Sequence, residues 1–200
     1  MPVRCRRRQP EVVEAVTCKQ ARTFGGTLAS LLSVAVTALV LLMAIPAPAQ
    51  ATQEYGPFPW AKRTIYVNDH TGGYWHPIVT TAIRGWNQGG SVHLVHASSC
   101  RAGMPCVHVR SAYWSSNVVG QTTMRWPGGV LTYARVMMNR KYNHFPSYFR
   151  QAAMMHELGH AIGLFHDTSL GSVMWPATYR TWPSAYDYGL VRRAYNGVPW

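Results

Sequence analysis

Beyond residue 60, hydrophobic residues recur in patterns that predict a succession of strands and three helices. The first helix is predicted over residues 76–88, because Pro77 stands at its front, apolar residues follow at four-residue spacing and two glycines come after it. A second helix is predicted over residues 146–162 and a third over residues 184–195. The segments predicted as strands are 64–67, 92–97, 107–113, 118–125 and 130–138. This order favours an α+β fold.

The N-terminal quarter of the chain has a different pattern. Basic residues precede an uncharged apolar run over residues 28–45, which ends in alternating prolines and alanines. These parts, in this order, are typical of a secretory signal peptide. We therefore expect residues 1–49 to be a signal peptide cleaved near residues 49–51, and residues 50–200 to be one secreted, extracellular domain. A retained single-span anchor is the alternative, since the run of about 18 residues lies at the lower limit for a membrane helix.

The net charge has a different interpretation once residues 1–49 are excluded. The whole chain has 19 Lys and Arg against 7 Asp and Glu, a net charge of +12, which first suggests nucleic acid or another anionic partner. Residues 50–200 keep a net charge of +8, and their basic residues form no long run. Hydrophobic residues make up 48% of the chain, which excludes a disordered polyelectrolyte. We expect no nucleic-acid partner and, after cleavage, no stable membrane association.

Two of the four cysteines remain in the predicted mature chain. Cys100 and Cys106 are separated by five residues, and in an exported protein such a pair most simply forms a disulfide that closes a tight loop. Two free buried thiols are the alternative. A zinc site built on these two cysteines is disfavoured, because no second Cys/His pair stands at a suitable spacing.

The second predicted helix carries the residues with the most specific spacing in the chain. His156 and His160 are four residues apart and therefore project from one face of a helix, where two imidazoles can bind one zinc ion. Glu157 points about 100° away, so it can reach a water on the metal without binding the metal. Gly163 can adopt a positive φ and turn the chain so that His166 becomes a third ligand. Three protein ligands leave a fourth position for water, as a catalytic zinc site requires.

The motif His156-Glu157-x-x-His160-x-x-Gly163-x-x-His166 resembles the signature of the metzincin zinc peptidases. That clan also has a Met-turn, which Ser172-Val173-Met174-Trp175-Pro176 resembles, with Met174 as its methionine. The resemblance implies a metzincin-like zincin fold: a twisted, mostly parallel sheet with an antiparallel edge strand, an active-site helix, the Met-turn and a C-terminal helix. Within the clan, the helix and short linker are matrixin-like, and Asp167 resembles the adamalysin pattern. Small secreted bacterial forms resembling snapalysin use an aspartate as third ligand, but here His166 stands in that register and Asp167 is expected to make a structural hydrogen bond.

The resemblance implies a secreted, monomeric zinc metalloendopeptidase whose partner is a protein or peptide substrate. One catalytic Zn²⁺ would polarise a water, Glu157 would act as general base, and extended substrate would lie along an edge strand, for which residues 120–125 are the candidate. An ordinary solvent-facing strand is the alternative there. Trp175, Thr178 and Tyr179 resemble the wall of the pocket beyond the scissile bond.

Other residues leave weaker possibilities open. His93 and His96 are three apart in a predicted strand and should point to opposite faces, so surface or hydrogen-bonded histidines are favoured over a second metal site. Acidic residues are scarce, which disfavours calcium, although a site using Asp69 and backbone carbonyls stays open. The alternative function is a secreted basic binding module, with a structural zinc, that attaches to anionic cell-wall or polysaccharide surfaces. A structural zinc site usually fills all four positions, and no fourth ligand stands near this motif.

Overall fold

The computed structural model describes residues 12–17 and 57–200, with the backbone alone described for the first segment. The strands are β1 (Val12–Thr17), β2 (Thr64–His70), β3 (His93–Ala97), β4 (Cys106–Ala112), β5 (Val118–Arg125) and β6 (Tyr133–Asn139). The helices are α1 (His76–Asn87), α2 (Ser147–Ala161) and α3 (Ala185–Ala194), with short 3₁₀ turns at Pro127–Gly129 and Arg140–Tyr142. The predicted α+β class and the order of strands and helices beyond residue 60 are confirmed.

The strands form one mixed sheet in the order β1-β5-β6-β4-β2-β3. From β3 to β6 the neighbouring strands are parallel, and β5 is antiparallel to β6. The expected mostly parallel sheet with an antiparallel strand at one end is therefore present within residues 57–200. Outside β5, the segment Val12–Thr17 adds a further antiparallel strand, with Val12 opposite Met124 and Thr17 opposite Val118. This segment belongs to the predicted signal peptide, whose apolar run over residues 28–45 lies outside the described residues.

Two strand boundaries differ from the prediction by more than one residue. The first parallel strand was predicted to end at residue 67, but it continues to His70 because Asn68, Asp69 and His70 pair with β4. The predicted strand over residues 130–138 begins only at Tyr133, since a 3₁₀ turn precedes it and Leu131 makes an isolated bridge with Trp60. Pairing with neighbouring strands, rather than local polarity, sets both boundaries. None of the described helices is long and apolar enough to span a membrane.

The core lies between the sheet and the first two helices. Ile65 and Val67 of β2 and Val107 and Val109 of β4 have no exposed surface, and Trp86 of α1 is 1% exposed. Trp86 also donates a 3.0 Å hydrogen bond from Nε1 to the carbonyl of Met155, which ties α1 to α2. Every residue of α2 from Ala152 to Ala161 is buried. The sequence predicted an apolar face from Ala152, Met155, Leu158 and Ile162, and all four are at most 1% exposed. The polar histidine face of α2 is thus also inside the protein.

Candidate metal centre

Helix α2 holds three polar side chains inside the protein. His156, Glu157 and His160 all have no exposed surface. Burying such groups is unfavourable unless each has a polar partner. The two histidines lie one helical turn apart, as their four-residue spacing requires, and their rings are 4.6 Å apart between centroids.

A sharp turn follows the helix and returns the chain toward these histidines. Gly163 has φ of 99°, the left-handed conformation that the sequence predicted, and its amide donates to the carbonyl of His160 at 2.7 Å. The amide of Leu164 donates to the carbonyl of Gly159 at 3.0 Å. A Cβ at Gly163 would lie 2.0 Å from the carbonyl oxygen of Phe58, so glycine is required here for space as well as for conformation. The turn brings His166 beside the helix.

The three imidazoles converge through their Nε2 atoms. Nε2 of His156 lies 3.0 Å from Nε2 of His160 and 3.1 Å from Nε2 of His166. The opposite nitrogens of the helical pair face backbone carbonyls: Nδ1 of His156 is 2.7 Å from Val173 O, and Nδ1 of His160 is 2.8 Å from Leu164 O. A carbonyl only accepts hydrogen bonds, so both Nδ1 atoms carry the proton. The Nε2 lone pairs of His156 and His160 are therefore directed at one point.

Burial keeps these rings uncharged. Loss of solvation, together with the nearby His166, lowers the pKa of His156 from 6.5 to about 3. Burial and the two neighbouring histidines lower the pKa of His160 well below its ordinary value, and burial also lowers the pKa of His166. Neutral imidazoles are the form that binds metal ions. Metal–nitrogen bonds of 2.0–2.1 Å place tetrahedral ligands about 3.3 Å apart, close to the 3.0 and 3.1 Å between these nitrogens, so the three histidines could hold a metal ion.

The segment around Met174 lies directly under the histidine helix. Met174 is fully buried, and a Cβ at Gly159 would lie 2.4 Å from its sulfur, so the glycine admits the thioether against the helix. The preceding residue, Val173, supplies the carbonyl that receives the proton of His156. The amide of Asp167 donates to the carbonyl of Met174 at 3.0 Å and joins the two turns.

Asp187 anchors this turn from α3, a contact that the sequence did not indicate. Its buried carboxylate accepts hydrogen bonds from the hydroxyl of Ser172 and the amide of Val173, the latter at 3.2 Å. The same carboxylate caps α3 by accepting from the amide of Ser184 at 2.7 Å. The capping pattern Ser-x-x-Asp was the available signal for part of this role. The link to Ser172 had no local signature.

Glu157 lies against β5. The hydroxyl of Thr122 is 2.6 Å from Oε2 of Glu157 and 3.0 Å from its backbone carbonyl. A Cβ at Gly120 would lie 2.8 Å from Cγ of Glu157, so the glycine leaves room for the glutamate side chain. The strand segment 120–125 predicted as a substrate edge thus contacts the predicted general base. Its outer edge pairs with β1 in the full chain.

The structure also shows the contacts of the other residues that the sequence analysis singled out. Oδ1 of Asp167 accepts from the amide of Ser169 at 2.7 Å, and Oδ2 accepts from the hydroxyl of Tyr186 at 2.8 Å, so it makes the structural bonds expected of it. The bond to Asp167 raises the pKa of Tyr186. Thr178 donates to the carbonyl of Ser172 at 3.3 Å, and Tyr179 is 61% exposed beside the turn. Cys100 and Cys106 form the predicted disulfide.

Trp60 and Tyr195 both contact the end of α2, where the turn that carries His166 begins. Trp60 donates from Nε1 to the carbonyl of Ala161 at 2.9 Å. The hydroxyl of Tyr195 donates to the carbonyl of Ile162 at 3.0 Å and receives the amide of Trp60 at 3.4 Å. Burial raises the pKa of Tyr195, which keeps the hydroxyl protonated as a donor. These contacts fix the start of the turn that carries His166.

A second group of residues that could hold a metal ion was missed. The structure brings His96 together with Asp69 and His76, whereas the sequence favoured isolated histidines and only weakly considered His93 with His96. Two imidazoles face Asp69, which is not the oxygen-rich set that calcium prefers. No protein-family model matches the chain, and no curated protein matches it at a significant level.

Proposed function

We propose that the chain is a secreted, zinc-dependent endopeptidase that hydrolyses peptide bonds in proteins. The observation that carries the proposal is the convergence of three imidazole Nε2 atoms, at 3.0 and 3.1 Å, with the buried Glu157 next to His156 in the same helix. Three nitrogen ligands leave one coordination position open, which distinguishes a catalytic zinc site from a structural one. The proposed ligands are His156, His160 and His166.

Zinc at this point would supply a Lewis acid and lower the pKa of water toward neutrality. The protein supplies the remaining parts. Glu157 follows His156 immediately in the helix, and Thr122 holds one of its carboxylate oxygens. In this role Glu157 accepts the proton of the attacking water and passes it to the leaving amine. The hydrogen bonds from Nδ1 of the helical histidines to carbonyls orient the two rings and fix their tautomers.

The position of β5 supports the proposal that the substrate binds in an extended conformation. This strand runs past Glu157, and its outer edge already pairs with an extended segment of the same chain, Val12–Thr17, in antiparallel register. A peptide bound to that edge would gain backbone hydrogen bonds whatever its sequence. The disulfide between Cys100 and Cys106 is of the kind that persists in oxidising compartments and supports export. One domain over residues 50–200, acting as a monomer, is proposed as the mature enzyme.

The test separates metal binding from catalysis. Wild-type protein and the Glu157→Gln variant are loaded with zinc and assayed for casein hydrolysis, while the zinc content of each is measured by mass spectrometry. The wild type should hydrolyse casein and lose that activity in 1,10-phenanthroline. Glu157→Gln should bind the same amount of zinc with activity reduced about 10²–10⁴-fold, the range for removal of a general base. Zinc binding without casein hydrolysis by the wild type would instead favour the binding module.

A further inference from the structure

Three side chains outside the histidine site meet where β2 and β3 end and α1 begins: Asp69, His76 and His96. The strands are parallel and α1 connects them, so the carboxyl ends of both strands and the first turn of the helix share one end of the sheet. Oδ2 of Asp69 lies 2.8 Å from Nδ1 of His76 and 3.0 Å from Nε2 of His96. The imidazole centroids are 4.8 Å apart.

The carboxylate is held in place by its own neighbours. The side chain of Asp69 is only 1% exposed. Its second oxygen, Oδ1, accepts from the amide of Thr71 at 2.9 Å and from the hydroxyl of Thr71 at 2.7 Å. These bonds leave Oδ2 directed at the two imidazoles. Such support of a carboxylate by surrounding donors is the arrangement found around metal ligands.

The far nitrogen of His96 also has a defined partner. Nδ1 of His96 lies 3.2 Å from the hydroxyl oxygen of Thr80, and that hydroxyl donates to the carbonyl of His76 at 3.1 Å. Nε2, on the opposite side of the ring, lies 3.0 Å from Oδ2 of Asp69, the same oxygen that Nδ1 of His76 approaches at 2.8 Å. The contact with Thr80 therefore helps to hold the ring of His96 with Nε2 toward the carboxylate. One potential ligand atom from each of the three residues meets at this point.

We propose that Asp69, His76 and His96 form a second site for a zinc-class divalent metal ion. Two imidazoles and a carboxylate are a donor set that zinc and its transition-metal neighbours bind, whereas magnesium and calcium prefer oxygen alone. The two contacts of Oδ2 of Asp69 with the imidazole nitrogens, 2.8 and 3.0 Å, need to lengthen by about 0.5 Å or less to match tetrahedral zinc. Beside them is a cleft of about 270 Å³ that Ala97 and Ser98 also line. The cleft leaves room for a water as the remaining ligand.

This ion would join β2, α1 and β3 at one point. His76 lies at the first position of α1, and the same helix is bonded to α2 through Trp86 and the carbonyl of Met155. Binding at the second site therefore stabilises the helix against which the histidine helix packs. Since the side chains of His76 and His96 are 59% and 25% exposed, an ion here exchanges with solvent more readily than one at the buried triad. This site is separate from the residues proposed to carry out peptide hydrolysis.

The experiment counts zinc ions on the full chain. Metal-free protein is dialysed to equilibrium against zinc chloride, and bound zinc is measured by mass spectrometry for the wild type, His76→Ala, His96→Ala and His160→Ala. The control is His93→Ala, which removes an exposed histidine from the same strand as His96. Circular dichroism checks that each variant folds. Having two replacements in the cluster, one at a mostly exposed residue, keeps the test valid if the other variant misfolds.

The wild type and His93→Ala should bind two zinc ions, and the two cluster variants should bind one. If the cluster variants bind as many ions as the wild type, the second site does not exist. The proposed function is judged separately by His160→Ala. A single ion lost in His160→Ala and kept in His96→Ala would overturn only the second site. A single ion lost in His96→Ala and kept in His160→Ala would support the second site and overturn the catalytic one.

Discussion

The hydroxyl of Thr122 donates a 2.6 Å hydrogen bond to carboxylate oxygen Oε2 of Glu157. The two residues come from different elements, β5 and α2, and both are fully buried. The strand proposed to bind substrate is thus joined directly to the proposed general base. A displacement of β5 would be transmitted to the carboxylate, because the buried hydroxyl leaves Oε2 little freedom to rotate.

Thr122 is therefore expected to be a positioning residue. Thr122→Val keeps the shape of the side chain but removes the donor, so we expect kcat to fall about tenfold, the equivalent of about 1.4 kcal/mol, while KM and zinc content stay unchanged. Thr122→Ser retains the hydroxyl and should restore most of kcat. Steady-state kinetics on a fluorogenic peptide checks this. Equal losses of kcat in the two variants would show that packing, and not the hydrogen bond, matters at this position.

Gly163 and Gly90 together separate the effect of backbone strain from that of a steric collision. Gly163→Ala puts a Cβ at a φ of 99° and 2.0 Å from the carbonyl oxygen of Phe58. We expect it to lower the free energy of unfolding by about 3 kcal/mol or more and to weaken zinc binding, because the turn before His166 must move. Gly90 also has positive φ, 64°, but a Cβ there meets nothing within 4 Å. Gly90→Ala should cost about 1 kcal/mol with zinc binding intact. Urea denaturation and zinc titration measure both, and similar losses in the two variants would contradict the collision with Phe58.

Acid should destabilise the metal-free protein through His156. Its pKa is about 3 in the folded chain and 6.5 ordinarily, so below pH 6.5 the unfolded chain takes up a proton that the folded chain does not. The stabilising contribution is therefore complete above pH 6.5 and is lost as the pH falls toward 3, at about 1.4 kcal/mol per pH unit. Urea denaturation in a chelator at pH 7, 6 and 5 measures this loss. His156→Gln should make the dependence shallower by about one proton, and an unchanged slope would refute the assignment.

Removing the predicted signal segment should open the edge of β5. In a chain that begins at residue 50, Val12–Thr17 is absent and the backbone groups of β5 that pair with it are exposed. Amide hydrogen exchange along β5 should become faster than in the full chain. If the proposed function is right, kcat/KM for a peptide substrate should also rise, because substrate no longer competes with β1 for the edge. Equal peptide hydrolysis by both chains, with β5 exchange accelerated as expected, would show that this edge does not bind substrate.

The sequence predicted those parts of the candidate site that depend on neighbours along the chain. His156 and His160 share a helix face by spacing alone, and Gly163 has the positive φ expected from its place after the helix. Thr122, Asp187 and the cluster around Asp69 were missed because their partners are remote in sequence. Thr122 and Glu157 are 35 residues apart, and Asp69 and His96 are 27 apart. Only the arrangement of strands and helices brings such residues together, and this arrangement cannot be read from the hydrophobic periodicity of the sequence.

The hydroxyl of Tyr195 has a consequence for the order in which the protein can mature. It binds the carbonyl of Ile162, at the start of the turn that carries His166, and it comes from a part of the chain synthesised 33 residues later. A chain still being translated therefore contains all three histidines of the triad before it contains the group that anchors their turn. Because that anchor forms only after α3 has been made and packed, the turn in a growing polypeptide lacks this hydrogen bond until then. The contact that fixes the start of the turn is therefore completed later than the histidine motif itself.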